Sequence, residues 1–171
     1  MSTISLWRIA ATVGKYRADD LSGAGAAAVG GRYNSAGIAV VYTSSSVALA
    51  VLETLVHLGV KAGGQANRYL VELHVPLPVY EARQTLTVAQ LRRQHPFWDA
   101  VPFAEASQRI GDEWVRAGKS ALLALPSAIL PHQGLPDGNV LINPRHADAG
   151  AIRVARCEKF IYDPRLGPRP A

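Results

Sequence analysis

Tyr42 to Gly59 reads YTSSSVALAVLETLVHLG. Its apolar residues, Val47, Leu49, Val51, Leu52, Leu55, Val56 and Leu58, fall on nearly every side of a helix, and such a helix is expected to be buried. In its middle stands one acid, Glu53. A carboxylate taken out of water without a partner is strongly destabilising, so Glu53 is paired, protonated or put to use. Thr43-Ser44-Ser45-Ser46 supplies an N-cap. Ile38 to Tyr42, apolar and β-branched after a glycine turn, predicts a strand ending at Tyr42. Just before it, Gly30 to Asn34 (GGRYN) sets an arginine beside glycines and an aromatic ring. The unit is strand, polar turn, helix, and it is built to bring Arg32, Tyr42 and Glu53 together. Taken singly, Tyr42 also reads as a core tyrosine with a satisfied hydroxyl.

Outward from this unit, Ser5 to Ala10 is a strand candidate with Arg8 between apolar residues. Position alone favours a surface arginine on an edge strand over one that reaches into a cleft to hold an anion. Asp19 to Gly31 is rich in small residues and reads as a flexible loop. Its Gly23-Ala24-Gly25 lacks both the preceding apolar strand and the later acid of a dinucleotide fingerprint. Arg68 to Val75 alternates, with Tyr69, Val71, Leu73 and Val75 on one face, and predicts a strand that Pro76 and Pro78 end. Thr87 to Asp99 predicts a short helix and a turn, with Arg92 and Arg93 solvated. Ala104 to Ala117 predicts a helix whose stripe of Ala106, Ile110 and Trp114 faces the core and whose C-cap is Gly118.

Ser120 to Leu130 reads as a buried strand broken at Pro126-Ser127; the Ser127 hydroxyl either bonds a neighbouring carbonyl or faces a cleft. Asn139 to Asn143 and Ile152 to Tyr162 are strands, and the Pro/Arg tail from about residue 164 to 171 is expected to fray. Helices and strands do not alternate regularly, so the class is α+β rather than doubly wound.

A chain of 171 residues suits one domain, 1–171, and 49% hydrophobic against 18% charged residues is globular composition. The lone Cys157 has no partner for an internal disulfide, and no charged-then-apolar leader opens the chain; both predict a reducing, cytoplasmic setting. No apolar run approaches the roughly 18 residues that span a bilayer, so no membrane is expected. The net charge of +5 suits an anionic ligand or an acidic partner. Without a dense Lys/Arg run, nucleic acid is not expected as a direct ligand, and a basic nucleic-acid-binding module stands as the non-enzymatic alternative. The five histidines are scattered and give no metal-ligand spacing. Neither a triphosphate loop nor a GxSxG elbow occurs, and nothing in the spacing makes Ser127 part of a triad.

What remains is arginine, tyrosine, glutamate and serine near strand ends. Arginine binds diphosphate through charge-assisted, often bidentate, hydrogen bonds. An aromatic ring stacks on nicotinamide or adenine. A carboxylate holds a ribose hydroxyl and stabilises positive charge as a glycosidic bond breaks. The set suits a pyridine dinucleotide used as a substrate.

The stretch GGRYNSAGIAVVYTSSSVALAVLETLVHL resembles the core of the RES domain, the toxin half of Xre–RES type II toxin–antitoxin pairs. The resemblance continues in order through LWRIA, GDEWV, LPSAILP, NVLINPRH and FIYDPRL. It implies a fold similar to the ADP-ribosyltransferases of the diphtheria-toxin kind, with central mixed or antiparallel sheets flanked by helices. It implies NAD+ as substrate, and arrested growth until an Xre-type antitoxin, usually encoded alongside, covers the site; the scattered histidines and lone cysteine predict no metal. The implied activity is NAD+ loss by hydrolysis or phosphorolysis, with transfer of ADP-ribose to a protein as the alternative.

By this match Arg32, Glu53 and Ser127 are the arginine, glutamate and serine of the family, Tyr42 its strand-end tyrosine and Arg8 the arginine of the Trp-Arg pair. Arg8 and Arg32 would bind diphosphate or ribose oxygens, with Tyr33 beside them. Tyr42 would pack on the nicotinamide end, Glu53 would polarise the ribose, and Ser127 would position the ligand. One departure is His132 to Gly138 (HQGLPDG), longer than the family's link into the Asn-Pro turn.

Overall fold

The protein is described by a computed structural model covering residues 2–58 and 67–166. Its strands are β1 (Thr3–Ala11), β2 (Val41–Ser44), β3 (Arg68–Pro76), β4 (Gln84–Thr85), β5 (Leu122–Leu125), β6 (Asn139–Ile142) and β7 (Arg153–Phe160). They form one seven-stranded sheet in the order β4-β5-β6-β2-β1-β3-β7. The β4–β5 pair is parallel and the rest are antiparallel. Helices α1 (Ala24–Val29), α2 (Val47–Leu58), α3 (Leu77–Glu81), α4 (Val88–Gln94) and α5 (Glu105–Ala117) flank it. The α+β reading holds.

Apolar side chains pack on both faces of the sheet over β5, β6 and β2, which follows from the alternation of its strands, while β7 is exposed from Arg153 to Lys159. Leu6, Val41, Val71, Leu73, Val75, Leu122, Val140 and Ile142 build the core on one face. On the other, Leu123, Leu125 and Leu141 pack with Tyr33, Trp98, Ile110 and Trp114. The Ile110 and Trp114 stripe therefore faces the core as predicted, and Gly118 caps α5 with a left-handed φ of 58°.

One seam in the sheet differs from the rest. β1 pairs with β3 along its whole length, from Thr3 opposite Pro76 to Ala11 opposite Arg68. With β2 it shares a single pair, Trp7 opposite Ser44. Beyond that pair the strands part, and a cleft opens between them, lined by Arg8 and Ala10 on one side and Tyr42 and Thr43 on the other.

Several expectations are corrected. β1 lies inside the sheet, so Arg8 is not on an edge strand. Asp19 to Gly31 is not all loop: Ala24–Val29 forms a short helix, α1. Its last carbonyls are held from outside, Ala26 by the Asn34 side chain at 3.0 Å and Ala27 by the Gly37 N–H at 2.8 Å. β2 begins at Val41 and runs on to Ser44, because its partner β6 pairs with residues 41 to 44; Tyr42 is thus its second residue, and Ser44 belongs to the strand. Of the α2 residues whose burial is described, 47–57, Leu49 and Ala50 are fully buried, and Val56 is 58% exposed. It covers β1 and β2 with one face and gives another to the cleft. The expected helix end at Gly59 and the tail from 167 to 171 lie outside the described residues; Pro164–Leu166 form a 3-10 turn.

Candidate functional site

The cleft between β1 and β2 has a volume of about 670 Å³. Arg8, Arg32, Tyr33, Tyr42 and Glu53 all line it, so the structure brings together the arginine, tyrosine and glutamate that the sequence predicts as one site. Each is placed by a different local device.

Glu53 projects from the middle of α2 and is half-buried. Its Oε1 accepts two hydrogen bonds, from Ser127 Oγ at 2.7 Å and from Asn139 Nδ2 at 2.5 Å. Among the described residues no hydrogen bond is made to Oε2, which leaves that oxygen to the cleft. The acid in the apolar helix is therefore partnered, from two elements far away in sequence.

Ser127 is 1% exposed and does not line the cleft. Its hydroxyl donates to Glu53 and accepts from the Ile129 N–H at 3.0 Å. The break after β5 at Pro126 turns the chain so that this serine points at α2. It acts on the cleft through the carboxylate it holds.

Tyr42 is half-buried, with both hydrogen-bonding capacities of its hydroxyl used. The hydroxyl donates to Asn34 Oδ1 at 2.7 Å and accepts from the Tyr33 N–H at 2.9 Å. Asn34, fully buried, spends its amide on the carbonyls of Ala26, Ser35 and Ile38. The Tyr42 hydroxyl thus staples the GGRYN turn, while its ring forms part of the cleft wall. Burial holds the Tyr42 phenol, and Tyr33 likewise, well above the ordinary tyrosine range, so both stay neutral. The Tyr33 hydroxyl is buried and makes no hydrogen bond among the described residues.

The same turn is locked from α5 by the GDEW segment. A Cβ on Gly111 would lie 1.8 Å from the Tyr33 carbonyl oxygen, so only glycine permits this approach. Asp112 accepts from the Ser35 N–H at 2.9 Å, and Gln108 donates to the carbonyls of Gly31 and Asn34, each at 3.2 Å. Arg32, held in this turn, sends Nη1 to the carbonyls of Trp98 and Ala100 at 3.2 and 3.1 Å. Its guanidinium lies 5.9 Å from the Phe103 ring. Among the described residues those bonds use one nitrogen, so Nε and Nη2 keep donors for an anion.

Arg8 is half-buried, and its Nη1 reaches the Asp20 carbonyl oxygen at 3.3 Å. Burial pushes this guanidinium down from its ordinary value, opposed by Asp20 and then Cys157. An anionic group in the cleft would relieve that cost. Among the described residues, no group of three or more His, Cys, Asp or Glu side chains could hold a metal ion.

Ser44, at the end of β2, and the two serines that follow it do more than the expected capping. Ser46 Oγ does cap α2, accepting from the Leu49 N–H at 3.2 Å. Ser45 accepts from Gly138 N at 3.0 Å and donates to Asp137 Oδ1 at 3.2 Å, which ties down the end of the 132–138 loop. Ser44 donates to Asn139 Oδ1 at 3.1 Å. Asn139 itself is the site residue that sequence reasoning missed. It opens an apolar strand, and only the pairing of β6 with β2, Asn139 opposite Ser44, shows that it faces Glu53.

These features define a class: an α+β domain whose sheet splits around a cleft lined by Arg8, Arg32, Tyr33 and Tyr42 and by the tethered carboxylate of Glu53. The chain belongs to the RES domain family, whose model matches residues 5–163. It is similar to the Prs ADP-ribosylating toxin of Sphingobium sp. (strain YBL2), 46% identical over 164 residues that cover 96% of this chain and 97% of that protein. It is also similar to Toxin Res of Pseudomonas putida, 36% identical over 161 residues covering 94% and 98%. Among solved structures, the toxin–antitoxin complex MbcT–MbcA of M. tuberculosis superposes with a TM-score of 0.64. That match covers 93% of this chain and 85% of the other at 16% identity, and it shows a shared fold.

Proposed function

We propose that this RES domain is a toxin that cleaves the nicotinamide–ribose bond of NAD+ and passes the ADP-ribose to an acceptor. The observation that carries the reading is the Glu53 carboxylate, pinned at Oε1 and, among the described residues, without a hydrogen bond at Oε2, in a cleft flanked by Arg8 and Arg32. A dinucleotide diphosphate fits the two guanidinium groups. The neutral rings of Tyr33 and Tyr42 offer apolar wall to the nicotinamide end. As the C1′–N bond breaks, nicotinamide leaves with the bonding electrons and positive charge builds on the ribose. The Glu53 carboxylate stabilises that charge or holds a ribose hydroxyl. The acceptor then bonds C1′ and gives up a proton.

The family resemblance implies hydrolysis or phosphorolysis first. The 46% identical relative is named for ADP-ribosylating Prs, which favours a protein acceptor, and Prs is the first to try. NAD+ labelled in its adenine, incubated with the protein and with Prs, phosphate or water alone, separates the readings. Label on Prs supports transfer. Label in free ADP-ribose or its phosphate ester supports NAD+ degradation instead. Intact NAD+ in every arm, in lysate as well, contradicts both.

The partner we infer is an Xre-type antitoxin. The net charge of +5 favours an acidic surface on that partner, and one solved fold neighbour, MbcT–MbcA, is a toxin–antitoxin complex. Co-expression is expected to lift growth arrest, and pull-down of the pair to protect the cleft from NAD+. Growth arrest that no adjacent Xre-type protein relieves would contradict this part.

A further inference from the structure

We propose that Asn139 is a positioning residue for Glu53, fixing the carboxylate so that Oε2 alone is presented to the cleft. The proposal deepens the reading above and rests on Glu53 having the role given there. Asn139 Nδ2 and Ser127 Oγ approach the same oxygen, at 2.5 and 2.7 Å. Two donors on one carboxylate oxygen restrict rotation about the last side-chain bond and turn the other oxygen outward. An ionised carboxylate only accepts hydrogen bonds, so the amide must face it with nitrogen and turn Oδ1 away. Ser44 Oγ meets that Oδ1 at 3.1 Å, and the reverse orientation would set two acceptors against each other. Asn139 is 9% exposed and stands on β6, in register with Ser44 on β2. The donor thus comes from the sheet rather than from the neighbouring loop, which suits a group that has to be held within a fraction of an ångström.

Asn139→Asp tests this, because it replaces the donor by a second acceptor. Two carboxylates at that separation do not both ionise, so the pair keeps one proton to higher pH. The other titratable or charged groups around the cleft, Arg8, Tyr16, Arg17, Asp20, Arg32, Tyr33, Tyr42, His57 and Arg68, are unchanged by the substitution. Carboxyl-labelled glutamate NMR, with the Glu53 signal assigned by its loss in Glu53→Gln, reads the titration without any turnover. The signal is expected to titrate about 1 pH unit or more higher in Asn139→Asp than in the native protein. Asn139→Ala, which removes a donor and adds no charge, shifts it in the same direction by less, and serves where the aspartate variant does not fold.

A Glu53 signal that titrates as in the native protein in the folded variant overturns the proposal. Because this readout needs no NAD+, its failure is distinct from failure of the functional reading. With turnover established, Asn139→Ala is expected to lower kcat about tenfold or more while KM stays within about twofold. A rise in KM at native kcat would also overturn it.

Discussion

Ser127 Oγ donates to Glu53 Oε1 at 2.7 Å across 74 residues of sequence. The contact joins the chain turn after β5 to the middle of α2, and it explains how an acid survives in an apolar helix. Ser127 is buried below the cleft rather than in its wall, so its effect on a ligand is transmitted by the carboxylate.

Ser127→Ala should therefore behave as a defect in Glu53 placement. It also strands the Ile129 N–H, for a stability loss of about 1–3 kcal/mol. The expected kinetic result is a fall in kcat larger than the rise in KM, read from initial rates of NAD+ loss. A change in KM alone would mean that Ser127 touches the ligand directly.

Tyr42→Phe keeps the ring and removes the hydroxyl. Asn34 Oδ1 and the Tyr33 N–H lose their partner in a buried setting. Urea unfolding is expected to show a loss of about 1–3 kcal/mol. Native stability in this variant would show that the hydroxyl does not staple the turn.

Gly111→Ala is a sharper test of the scaffold. In an ordinary helix interior, alanine is favoured over glycine by about 1 kcal/mol. Here the new methyl meets the Tyr33 carbonyl, and destabilisation of about 3 kcal/mol is expected from overpacking. Thermal unfolding measures it. A variant that melts at or above the native temperature would contradict the close approach of α5 to the GGRYN turn.

Arg8→Gln and Arg32→Gln are expected to weaken NAD+ binding, each by roughly tenfold or more, since each removes a charge-assisted partner of the diphosphate. Calorimetry on the Glu53→Gln background, where turnover is blocked, gives the affinity directly. Unchanged affinity in both would remove the arginines from the binding role.

The sequence made the unit from Gly30 to Leu58 legible because its signals are local. A glycine-flanked arginine, a β-branched run, a serine cap and an acid in an apolar helix each need only near neighbours to be read. The pairing of Glu53 with Asn139 was not legible, since it depends on strand order: β6 has to lie against β2 before Asn139 can face α2. The edge-strand reading of Arg8 fails for the same reason, because whether a strand is an edge or an interior strand is a property of the assembled sheet, while the cleft reading matches its place in the wall. Helix α1 was hidden by composition. A glycine- and alanine-rich run is ambiguous until Asn34 and Gly37 supply partners for its carbonyls. The seam between β1 and β2, which makes the cleft, leaves no trace in either strand alone.

The central claim is that Glu53 drives cleavage of the nicotinamide–ribose bond. Its most direct test is release of free nicotinamide from NAD+ by the purified native protein and by Glu53→Gln, in lysate so that every acceptor is present. The carboxamide keeps the shape and one acceptor oxygen, so the variant should fold and melt like the native protein. The account predicts nicotinamide release by the native protein and a fall of about a hundredfold or more in the variant. Equal release by both, or none by the native protein, would contradict it.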